Sequence, residues 1–460
     1  MNNKCFGIFL FVTLSFISSE AQVITTIAGD SIRGYSGDNG PATAAELSYP
    51  EAVALDTTGN VYIVDNGNAR IREINISSGS ITTVAGNGMG GFSGDGGPAT
   101  AAELGAIGIY IDKKNNIYIA DEGNSRVRKV DGITKIITTI AGNGTSTYGS
   151  GVGGPATAAG VYPSAVYADD SGNVYIADGY GVDLIQKVSA ITGIITTIAG
   201  DGTIGHYAGD GGPATAAEFD TPEGLFGDSV GNIYIADAGN DRIRKITMTT
   251  GIINTIVGNG AQGFGGDGGQ ATNAELYNPS AVVIDATGNI YIADNSNNRI
   301  RKVNVSSGII TTVAGDNLKG FSGDGGMATA AELNVPYSVC VNRLGDFYIA
   351  DDQNSRIRRV SIPAGINELN NGSGEVVVYP NPSNGVFQLK ITNYELRIND
   401  NVEVYNVLGK KVYSGIANSH GPLANSQITI NLNNQPTGIY LYRILNDKSE
   451  CISSGKLIIQ

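Results

Sequence analysis

The sequence predicts an all-β protein that consists of a six-bladed β-propeller and a small C-terminal β-sandwich. The main observation is a Tyr-Ile-Ala-Asp or closely similar tetrapeptide that recurs six times, with 56 to 59 residues between copies. The aspartates that end these tetrapeptides are Asp65, Asp121, Asp178, Asp237, Asp294 and Asp351. A fixed period of this size is typical of an array of one supersecondary unit. Each unit contains four short runs that suit strands, and four strands per unit arranged in a ring form a propeller.

The fifth unit gives the clearest order of elements. Its predicted strands cover residues 281–285, 289–294, 299–304 and 309–314. An Asp-x-x-Gly-Asn turn joins the first two, and Gly288 supplies the positive φ that such a turn needs. The intervals between units hold no helical run long enough for a βαβ crossover, which argues against a parallel α/β sheet.

The ends of the repeat region predict how the ring closes. The sixth unit has only three strands, at residues 337–342, 346–351 and 356–361, and then the pattern stops. A single unpaired strand, Val23–Ala28, precedes the first unit. We expect this strand to complete the sixth blade, because the ring then has no free edge strand.

Composition and charge limit the class of protein. The formal net charge is −14 over 460 residues, which argues against a nucleic-acid partner, since that would need a basic face. Residues 1–21 are typical of a secretory signal: Lys4 is followed by an apolar run at 6–17 and by a Ser-Glu-Ala cleavage site before Gln22. No later segment approaches transmembrane length, so the mature chain is expected to lack a membrane span.

The period ends after residue 361, and a different domain follows. Residues 362–375 are rich in Asn, Gly and Ser and are predicted to be a linker. Residues 376–460 contain seven short predicted strands, at 376–379, 386–392, 402–407, 411–414, 428–432, 438–445 and 455–459. Seven short strands with turn signals favour a small Ig-like sandwich.

Both regions resemble known families. The strand Gly-Asn-(Val/Ile)-Tyr-Ile-Ala-Asp, followed by Asn-x-Arg-Ile-Arg-Lys-Val, is similar to NHL repeats, and bacterial extracellular NHL proteins share the loop Gly-Asp-Gly-Gly-Pro-Ala-Thr-Ala-Ala-Glu-Leu. This resemblance covers residues 22–361 and implies a propeller.

The C-terminal region resembles the type A sorting domain of type IX secretion. The likeness rests on Tyr-Pro-Asn-Pro at 379–382, Val-Tyr-Asn-Val-Leu-Gly at 404–409, Pro-x-Gly-Ile-Tyr at 436–440 and Lys-Leu-Ile-Ile at 456–459. The resemblance implies a Gram-negative cell, export through both membranes and recognition by the secretion machinery. It leaves open whether the domain is cleaved and whether the propeller is anchored or released.

Charged residues recur in the long loop between units and in the third strand. Together they suggest an ion network inside each blade. The third unit supports this, because it lacks both loop acids and also the strand arginine, and the partners of a buried ion pair tend to be lost together. The loop acids are Asp38, Glu46, Asp95, Glu103, Asp210, Glu218, Asp267, Glu275, Asp324 and Glu332, and the strand arginines are Arg70, Arg126, Arg242, Arg299 and Arg356. In the third unit Val152, Gly160 and Leu184 stand at the aligned positions. We expect each loop to pair with the arginine of the blade it leads into, while the aspartate of the repeated tetrapeptide serves its own turn. The alternative is calcium at the acidic loops, although no loop has the density of carboxylates of a dedicated site.

An aromatic residue lies three positions before each loop aspartate. In a propeller the long loops between units lie on one face, around the mouth of the central channel, and we call this the loop face. The aromatic residues are candidates for a binding surface there: Tyr35, Phe92, Tyr207, Phe264 and Phe321. Such rings can bind a glycan or a peptide, or each ring can hold its own loop against the blade.

The residue types give little support for catalysis. The chain has two histidines, His206 and His420, which lie in different predicted domains, and no catalytic or metal residue is assigned.

We therefore expect a secreted or cell-surface binding or scaffold protein with a protein or glycan partner, because nearly equivalent units give six similar environments. The alternative is a secreted lactonase- or lyase-like enzyme, dependent on carboxylates or a metal, that acts at the channel mouth. That alternative needs a carboxylate with a perturbed pKa and one divergent blade, and the third, at residues 179–183, diverges most.

Overall fold

A computed structural model describes residues 22–147 and 149–361 and, in the C-terminal region, residues 375–379, 383, 385–392, 401–406, 410–416, 425–436, 438–445 and 451–459. The predicted signal at 1–21 and linker residues 362–374 lie outside these ranges. The chain divides into two compact units: Ala21–Ile362 form one, and Pro363–Gln460 belong to the other.

The first unit is a propeller of six four-stranded antiparallel sheets, as predicted. The strands of the first five blades, each in chain order, are β2 (Pro50–Leu55), β3 (Val61–Asp65), β4 (Arg70–Ile74) and β5 (Ile81–Ala85); β6 (Gly108–Ile111), β7 (Ile117–Asp121), β8 (Arg126–Val130) and β9 (Ile137–Ala141); β10 (Pro163–Ala168), β11 (Val174–Asp178), β12 (Leu184–Val188) and β13 (Ile195–Ala199); β14 (Pro222–Gly227), β15 (Ile233–Asp237), β16 (Arg242–Thr247) and β17 (Ile252–Val257); and β18 (Pro279–Ile284), β19 (Ile290–Asp294), β20 (Arg299–Val303) and β21 (Ile310–Ala314).

The sixth blade closes the ring in the way that the sequence predicts. It consists of β22 (Pro336–Val341), β23 (Phe347–Asp351), β24 (Arg356–Ser361) and the N-terminal strand β1 (Val23–Ala28). Strand β1 pairs antiparallel with β24, from Val23 opposite Ser361 to Ala28 opposite Ile357. Ile24 is fully buried in this blade's core, so the closure contributes apolar packing as well as backbone hydrogen bonds.

The helical segments between the strands of the propeller are single 3-10 turns. The Ala-rich stretch before each blade forms one 3-10 turn, and a second 3-10 turn follows the second strand of every blade except the third. These turns are Ala42–Ala44, Asn66–Asn68, Ala99–Ala101, Glu122–Asn124, Ala156–Ala158, Ala214–Ala216, Ala238–Asn240, Ala271–Asn273, Asn295–Asn297, Ala328–Ala330 and Asp352–Asn354. The helical stretch after Pro98 is limited to one 3-10 turn, because the backbone is already extended at Ala102.

The second unit is a sandwich of two antiparallel sheets, in agreement with the prediction. One sheet has the order β25 (Glu375–Tyr379), β26 (Val386–Thr392), β29 (Asn425–Asn431), and the other has the order β28 (Lys411–Ile416), β27 (Asn401–Asn406), β30 (Gly438–Leu445), β31 (Cys451–Ile459). Phe387 and Leu389 from the first sheet share one buried core with Val402 and Tyr442 from the second.

Candidate functional site

The loop aspartates form ion pairs inside the blades, with an arginine that the sequence did not single out. In the first blade the Arg72 guanidinium lies 2.7 Å from Asp38 of the loop and 3.3 Å from Asp65 at the end of β3. Arg72 is fully buried and also donates to the carbonyl oxygens of Ser36 and Glu46. The same arrangement links Asp95, Arg128 and Asp121; Asp210, Arg244 and Asp237; Asp267, Arg301 and Asp294; and Asp324, Arg358 and Asp351.

The predicted partners need two corrections. Arg70, Arg126, Arg242, Arg299 and Arg356 are not the ion-pair partners, because each lies at the start of its strand, where the guanidinium meets carbonyl oxygens or a hydroxyl. The glutamates Glu46, Glu103, Glu218, Glu275 and Glu332 form no ion pair among the described residues. Four of them reach the buried arginine through the backbone carbonyl only. The expected assignment of each loop to the blade that follows it does match the structure, as Asp95 with Arg128 illustrates.

The tetrapeptide aspartate has both the turn role that was predicted and an ionic role that was not. Asp65 accepts hydrogen bonds from the Ser48 backbone N–H and from Asn68 in the turn, and it also pairs with Arg72. Burial raises its pKa, against the lowering effect of these partners. For Asp38, by contrast, the hydrogen bonds from Thr83 and the charge of Arg72 outweigh burial, and its pKa is lowered.

The third blade lacks the ionic part of this network. Gln186 occupies the position of Arg72, and Val152 stands where the others have the loop aspartate. Gln186 is fully buried, and neither its Oε1 nor its Nε2 has a hydrogen-bond partner among the described residues. Asp178 keeps the backbone bond from Tyr162, but its Oδ2 has no partner there either. Burial raises the pKa of Asp178 to about 7, with no arginine to oppose it.

The loop aromatics each lie against the first arginine of the blade. The Arg126 guanidinium carbon is 3.6 Å from the centre of the Phe92 ring, and Arg70 is 3.7 Å from that of Tyr35. Tyr207, Phe264 and Phe321 stack on Arg242, Arg299 and Arg356 in the same way. The rings remain between 38% and 45% exposed. One face of each ring thus holds its loop to the blade, and the rest of the ring lies at the surface of the loop face.

A cavity of about 270 Å³ runs along the propeller axis and is lined by the innermost strands of all six blades. The position 14 residues before each tetrapeptide aspartate contributes one residue from each blade at the loop-face end of this cavity. These residues, which we call the channel ring, are Glu51, Ile107, Ser164, Glu223, Ser280 and Tyr337. Below the ring the cavity wall is almost wholly apolar, with residues such as Ile109, Leu225 and Val282.

Backbone geometry explains why the ring residues occupy this place. In the first blade Pro50 pairs with Asp65 and Ala52 pairs with Val64, so Glu51 is an extra residue in a β-bulge. The same shift in register occurs at Ser164, Glu223, Ser280 and Tyr337. A bulge interrupts the alternation of a strand and re-aims one side chain, and bulges are over-represented beside functional sites.

Glu223 is the most constrained member of the ring. Its Oε1 accepts a hydrogen bond from the Tyr180 hydroxyl at 3.3 Å, and Tyr180 belongs to the divergent turn of the third blade. Its Oε2 is buried with no hydrogen-bond partner within bonding distance among the described residues. Burial raises the pKa of Glu223 to about 7, although the hydroxyls of Tyr180 and Tyr337 lower it. Nine-tenths of this residue is withdrawn from solvent.

Glu51 faces the same cavity from the first blade. Its Oε2 accepts a hydrogen bond of 2.9 Å from Asn66. Burial raises its pKa to about 8, and the negative charges of Asp352, Glu122 and Glu223 add to this effect. The channel mouth therefore holds two buried carboxyl groups whose pKa values are raised mainly by burial.

The residues at the channel mouth differ from blade to blade, so the expectation of six similar environments is wrong there. The blades are nearly equivalent in their cores, but the ring reads Glu, Ile, Ser, Glu, Ser, Tyr around the axis. The signal is present in the sequence, since a residue that varies between copies stands 14 positions before each tetrapeptide aspartate. The repeat pattern does not single out this position, because a repeat is recognised by the residues that its copies share, whereas a single binding site needs residues that they do not share.

The described residues contain no group of three or more His, Cys, Asp or Glu side chains placed to hold a metal ion. The loop aspartates proposed as an alternative calcium site use their oxygens elsewhere: Asp38 meets Arg72, Tyr35 and Thr83. Within the same part of the chain, no helix has the length and apolar character to cross a membrane.

Comparison with known protein families identifies both regions. Residues 377–460 match the secretion system C-terminal sorting domain, residues 47–74 match the NHL repeat, and residues 260–320 match the teneurin NHL domain. Both resemblances drawn from the sequence are confirmed.

Relatives and solved structures agree with this fold. The chain is 28% identical to protein SUPPRESSOR OF QUENCHING 1, chloroplastic, of Arabidopsis thaliana, over 78% of this chain and 37% of that protein. It is 26% identical to NHL repeat-containing protein 2 of Gallus gallus, over 76% of this chain and 51% of that protein. It thus spans about half the length of these relatives or less. A structural genomics protein of unknown function from Bacteroides thetaiotaomicron has a TM-score of 0.56 at 22% identity, with coverage of 74% of this chain and 76% of that one.

Proposed function

We propose that this secreted NHL-repeat propeller, which carries a type IX sorting domain at its C-terminus, is a binding protein whose ligand site is the channel mouth. The sorting domain places it outside the cell or on the cell surface. The finer role rests on the mouth itself. The observation that carries it is Glu223, a deeply buried carboxyl group that lines the axial cavity and has one oxygen without a partner among the described residues.

Three features support binding at this place. The cavity is concave and mostly apolar, with a few polar groups at one end, which is the usual composition of a ligand site. The polar groups come from strands and from a bulge, so the rigid scaffold holds them in place. Retaining a buried polar atom without a partner costs about 1–3 kcal/mol, which a ligand that satisfies it would recover.

The loop aromatics Tyr35, Phe92, Tyr207, Phe264 and Phe321 remain the proposed outer contact surface for a larger protein or glycan partner. They lie on the same face as the mouth and leave about two-fifths of each ring exposed. Their stacking on arginine holds the rings in fixed orientations, which lowers the entropy cost of binding through them.

A second candidate function is catalysis at the same mouth. The structure contains both features that this alternative required: a carboxyl group with a pKa of about 7, and a contact to it from the divergent third blade through Tyr180. A carboxyl group with a pKa near 7 can act as a general acid or base in a lyase or lactonase reaction.

The test is a ligand screen with the full secreted chain and its Glu223→Gln and Phe321→Leu variants. Glycans, peptides and small polar compounds are screened for binding, and lactones for turnover. We expect at least one ligand whose affinity falls about tenfold or more in Glu223→Gln while the thermal midpoint is unchanged. Ligands that respond only to Phe321→Leu would move the site to the outer surface. Lactone turnover that disappears in Glu223→Gln would replace the binding role by the enzymatic one.

A further inference from the structure

The channel mouth brings together more acidic groups than its neighbourhood neutralises. The titratable and charged side chains that act on the two ring glutamates, or on the carboxyl groups beside them, are Glu51, Glu122, Glu223, Asp352, Tyr180, Tyr337 and Arg33. Arg33, which acts on Asp352, is already held by the Tyr49 hydroxyl at 2.6 Å and by Gln353 at 2.9 Å. Among the residues that the structure describes, no lysine or arginine lines the cavity.

Two buried oxygens at this end lack partners. Glu223 Oε2 and Asp352 Oδ1 have no hydrogen bond among the described residues, and these side chains are 9% and 4% exposed. Both atoms can only accept when the carboxyl groups are ionised, so the group that satisfies them must donate. A negative field together with unsatisfied acceptors favours a cation that carries N–H groups.

The arrangement of the carboxyl groups favours an organic cation over a metal ion. They are distributed around a ring, and among the described residues no three of them converge as metal ligands. A metal ion needs several oxygens at about 2.0–2.6 Å, whereas an ammonium group can bind one carboxylate directly and others through water.

The wall below the ring adds the second half of the ligand. Below the ring the lining side chains, such as Ile109, Leu225 and Val282, are mostly apolar, and this part of the cavity is open to the ring above. A hydrocarbon chain in this part of the cavity would gain the transfer free energy of each buried methylene group.

Building on the proposed binding function, we infer that the channel mouth recognises a primary alkylammonium ion, with its ammonium group between Glu223 and Glu51 and its hydrocarbon chain in the apolar channel. Glu223 Oε2 accepts one N–H bond. Glu51 supplies the second negative charge, and Tyr180 and Asn66 hold the two carboxyl groups in place.

Binding of an ammonium ion at the channel mouth should be coupled to proton release. Glu223 and Glu51 have pKa values raised to about 7 and about 8, mainly by burial. A cation binds the ionised forms, so binding at pH 7 must release protons, and the affinity must rise with pH as the glutamates ionise. An alkylamine has a pKa near that of lysine, about 10.4, so the ligand itself keeps its charge over this range.

The test uses calorimetric titration of the full secreted chain with hexylamine, 1-hexanol, hexanoate and hexyltrimethylammonium. These probes share the hydrocarbon chain and differ in the charge and hydrogen bonding of the head group. We expect hexylamine to bind at least about tenfold more tightly than the other three. We also expect a rise in affinity of about fivefold or more from pH 6 to pH 8.5, with the heat depending on the ionisation enthalpy of the buffer as proton release requires.

Variants locate the site. Glu223→Gln and Glu51→Gln should each weaken hexylamine binding about tenfold and reduce the proton release. Glu73→Gln serves as the control, because Glu73 lies in β4 and bonds Asn60 near the opposite face of the blade. Thermal midpoints identify any variant that fails to fold. If one of the two glutamate variants does not fold, the binding measured with the other one tests the site.

The outcomes separate this inference from the proposed function. If hexanol binds as tightly as hexylamine, or if a neutral glycan from the screen is the ligand that Glu223→Gln abolishes, the mouth is a binding site but the ammonium inference is wrong. If no compound in either experiment responds to Glu223 or Glu51, both proposals are wrong.

Discussion

The third and fourth blades have the same backbone arrangement, but they differ in the side chains that surround one buried aspartate. In the fourth blade Asp237 lies 3.4 Å from Arg244, which also reaches Asp210 in the loop at 2.9 Å. In the third blade Asp178 occupies the same place without an arginine, beside Gln186. Both sheets nevertheless have the same order and register. The apolar core and the backbone hydrogen bonds therefore define the blade, and the ion network is an addition that a blade can lose as a set.

The third blade, which lacks the ion network, also has a different turn after its second strand. The fourth blade continues from Asp237 into the 3-10 turn Ala238–Asn240, whereas the third blade has Gly179 and an irregular turn that carries Tyr180. Tyr180 reaches across to Glu223 on the first strand of the fourth blade. The blade that lacks the ion network thus supplies Tyr180, which donates a hydrogen bond to Glu223 at the channel mouth.

The largest effect should come from removing one partner of a complete network. Arg244→Met leaves Asp237 buried without a counter-charge, so the free energy of unfolding should fall by about 3–5 kcal/mol. Gln186→Met is the matched control in the third blade. It removes two buried polar atoms that have no partners, so its effect should stay within about 1 kcal/mol or be stabilising. Guanidinium denaturation of the full chain measures both, and equal losses in the two variants would show that the networks do not differ in energy.

The next effect depends on pH. The pKa of Asp178 in the folded protein is about 7, above its unfolded value near 3.8, so the protonated form is the one that suits the fold. Its stabilising contribution is fully present below pH 3.8, falls as the pH rises from there, and is lost once the pH has passed through about 7. Asp178→Asn stays neutral and should raise stability by about 1–3 kcal/mol at pH 8, with a smaller gain at pH 5 and a difference near zero below pH 3.8.

The matched variant in the second blade should behave in the opposite way. Asp121→Asn leaves Arg128 buried with one charge fewer beside it, so it should destabilise the protein at pH 8. Thermal midpoints across pH 5 to 8 test the pair. A destabilised Asp178→Asn at pH 8 would mean that this aspartate is ionised and paired in a way that the structure does not contain.

A smaller effect is expected from rebuilding the network in the third blade. Val152→Asp and Gln186→Arg restore the two missing side chains, and Asp178 is already in place. Together they should stabilise the blade by about 1 kcal/mol more than the sum of the single changes, because the new charges contact each other. A double-mutant cycle measures this coupling. Additive single effects would indicate that the irregular turn at residues 179–183 keeps the new pair apart.

Particular residues explain how far the sequence could lead. The period, the strands and the role of Val23–Ala28 could be predicted because each depends on local pattern and on counting strands per blade. The partner of Asp38 could not be chosen correctly, because Arg70 and Arg72 lie two residues apart on one strand and both are missing from the third blade. Only the three-dimensional depth of Arg72 distinguishes them.

The channel mouth required information of another kind. The bulge that makes Glu223 an extra residue in its strand follows from register, which a repeat pattern alone does not give. The contact between Tyr180 and Glu223 joins residues 43 positions apart across two blades. Sequence reasoning did identify the third blade as the divergent one, but it could not place its tyrosine beside a buried carboxyl group.

The smallest predicted effect concerns the stacking of loop aromatics, and it returns to the same contrast between blades. In the second blade the Phe92 ring lies 3.6 Å from the Arg126 guanidinium carbon, whereas the third blade has Leu184 at the position of Arg126. Arg126→Leu therefore gives the second blade the residue of the third. A cycle of Phe92→Leu, Arg126→Leu and the double variant should show a coupling of about 0.5–1 kcal/mol, since the exposed ring and the cation stabilise each other. Denaturation at low and high salt checks it, because a contact between an ion and a ring should persist in salt better than an ion pair between exposed charges does. A coupling of zero would show that the contact between ring and arginine does not stabilise the blade, and it would strengthen the proposal that the rings bind a partner.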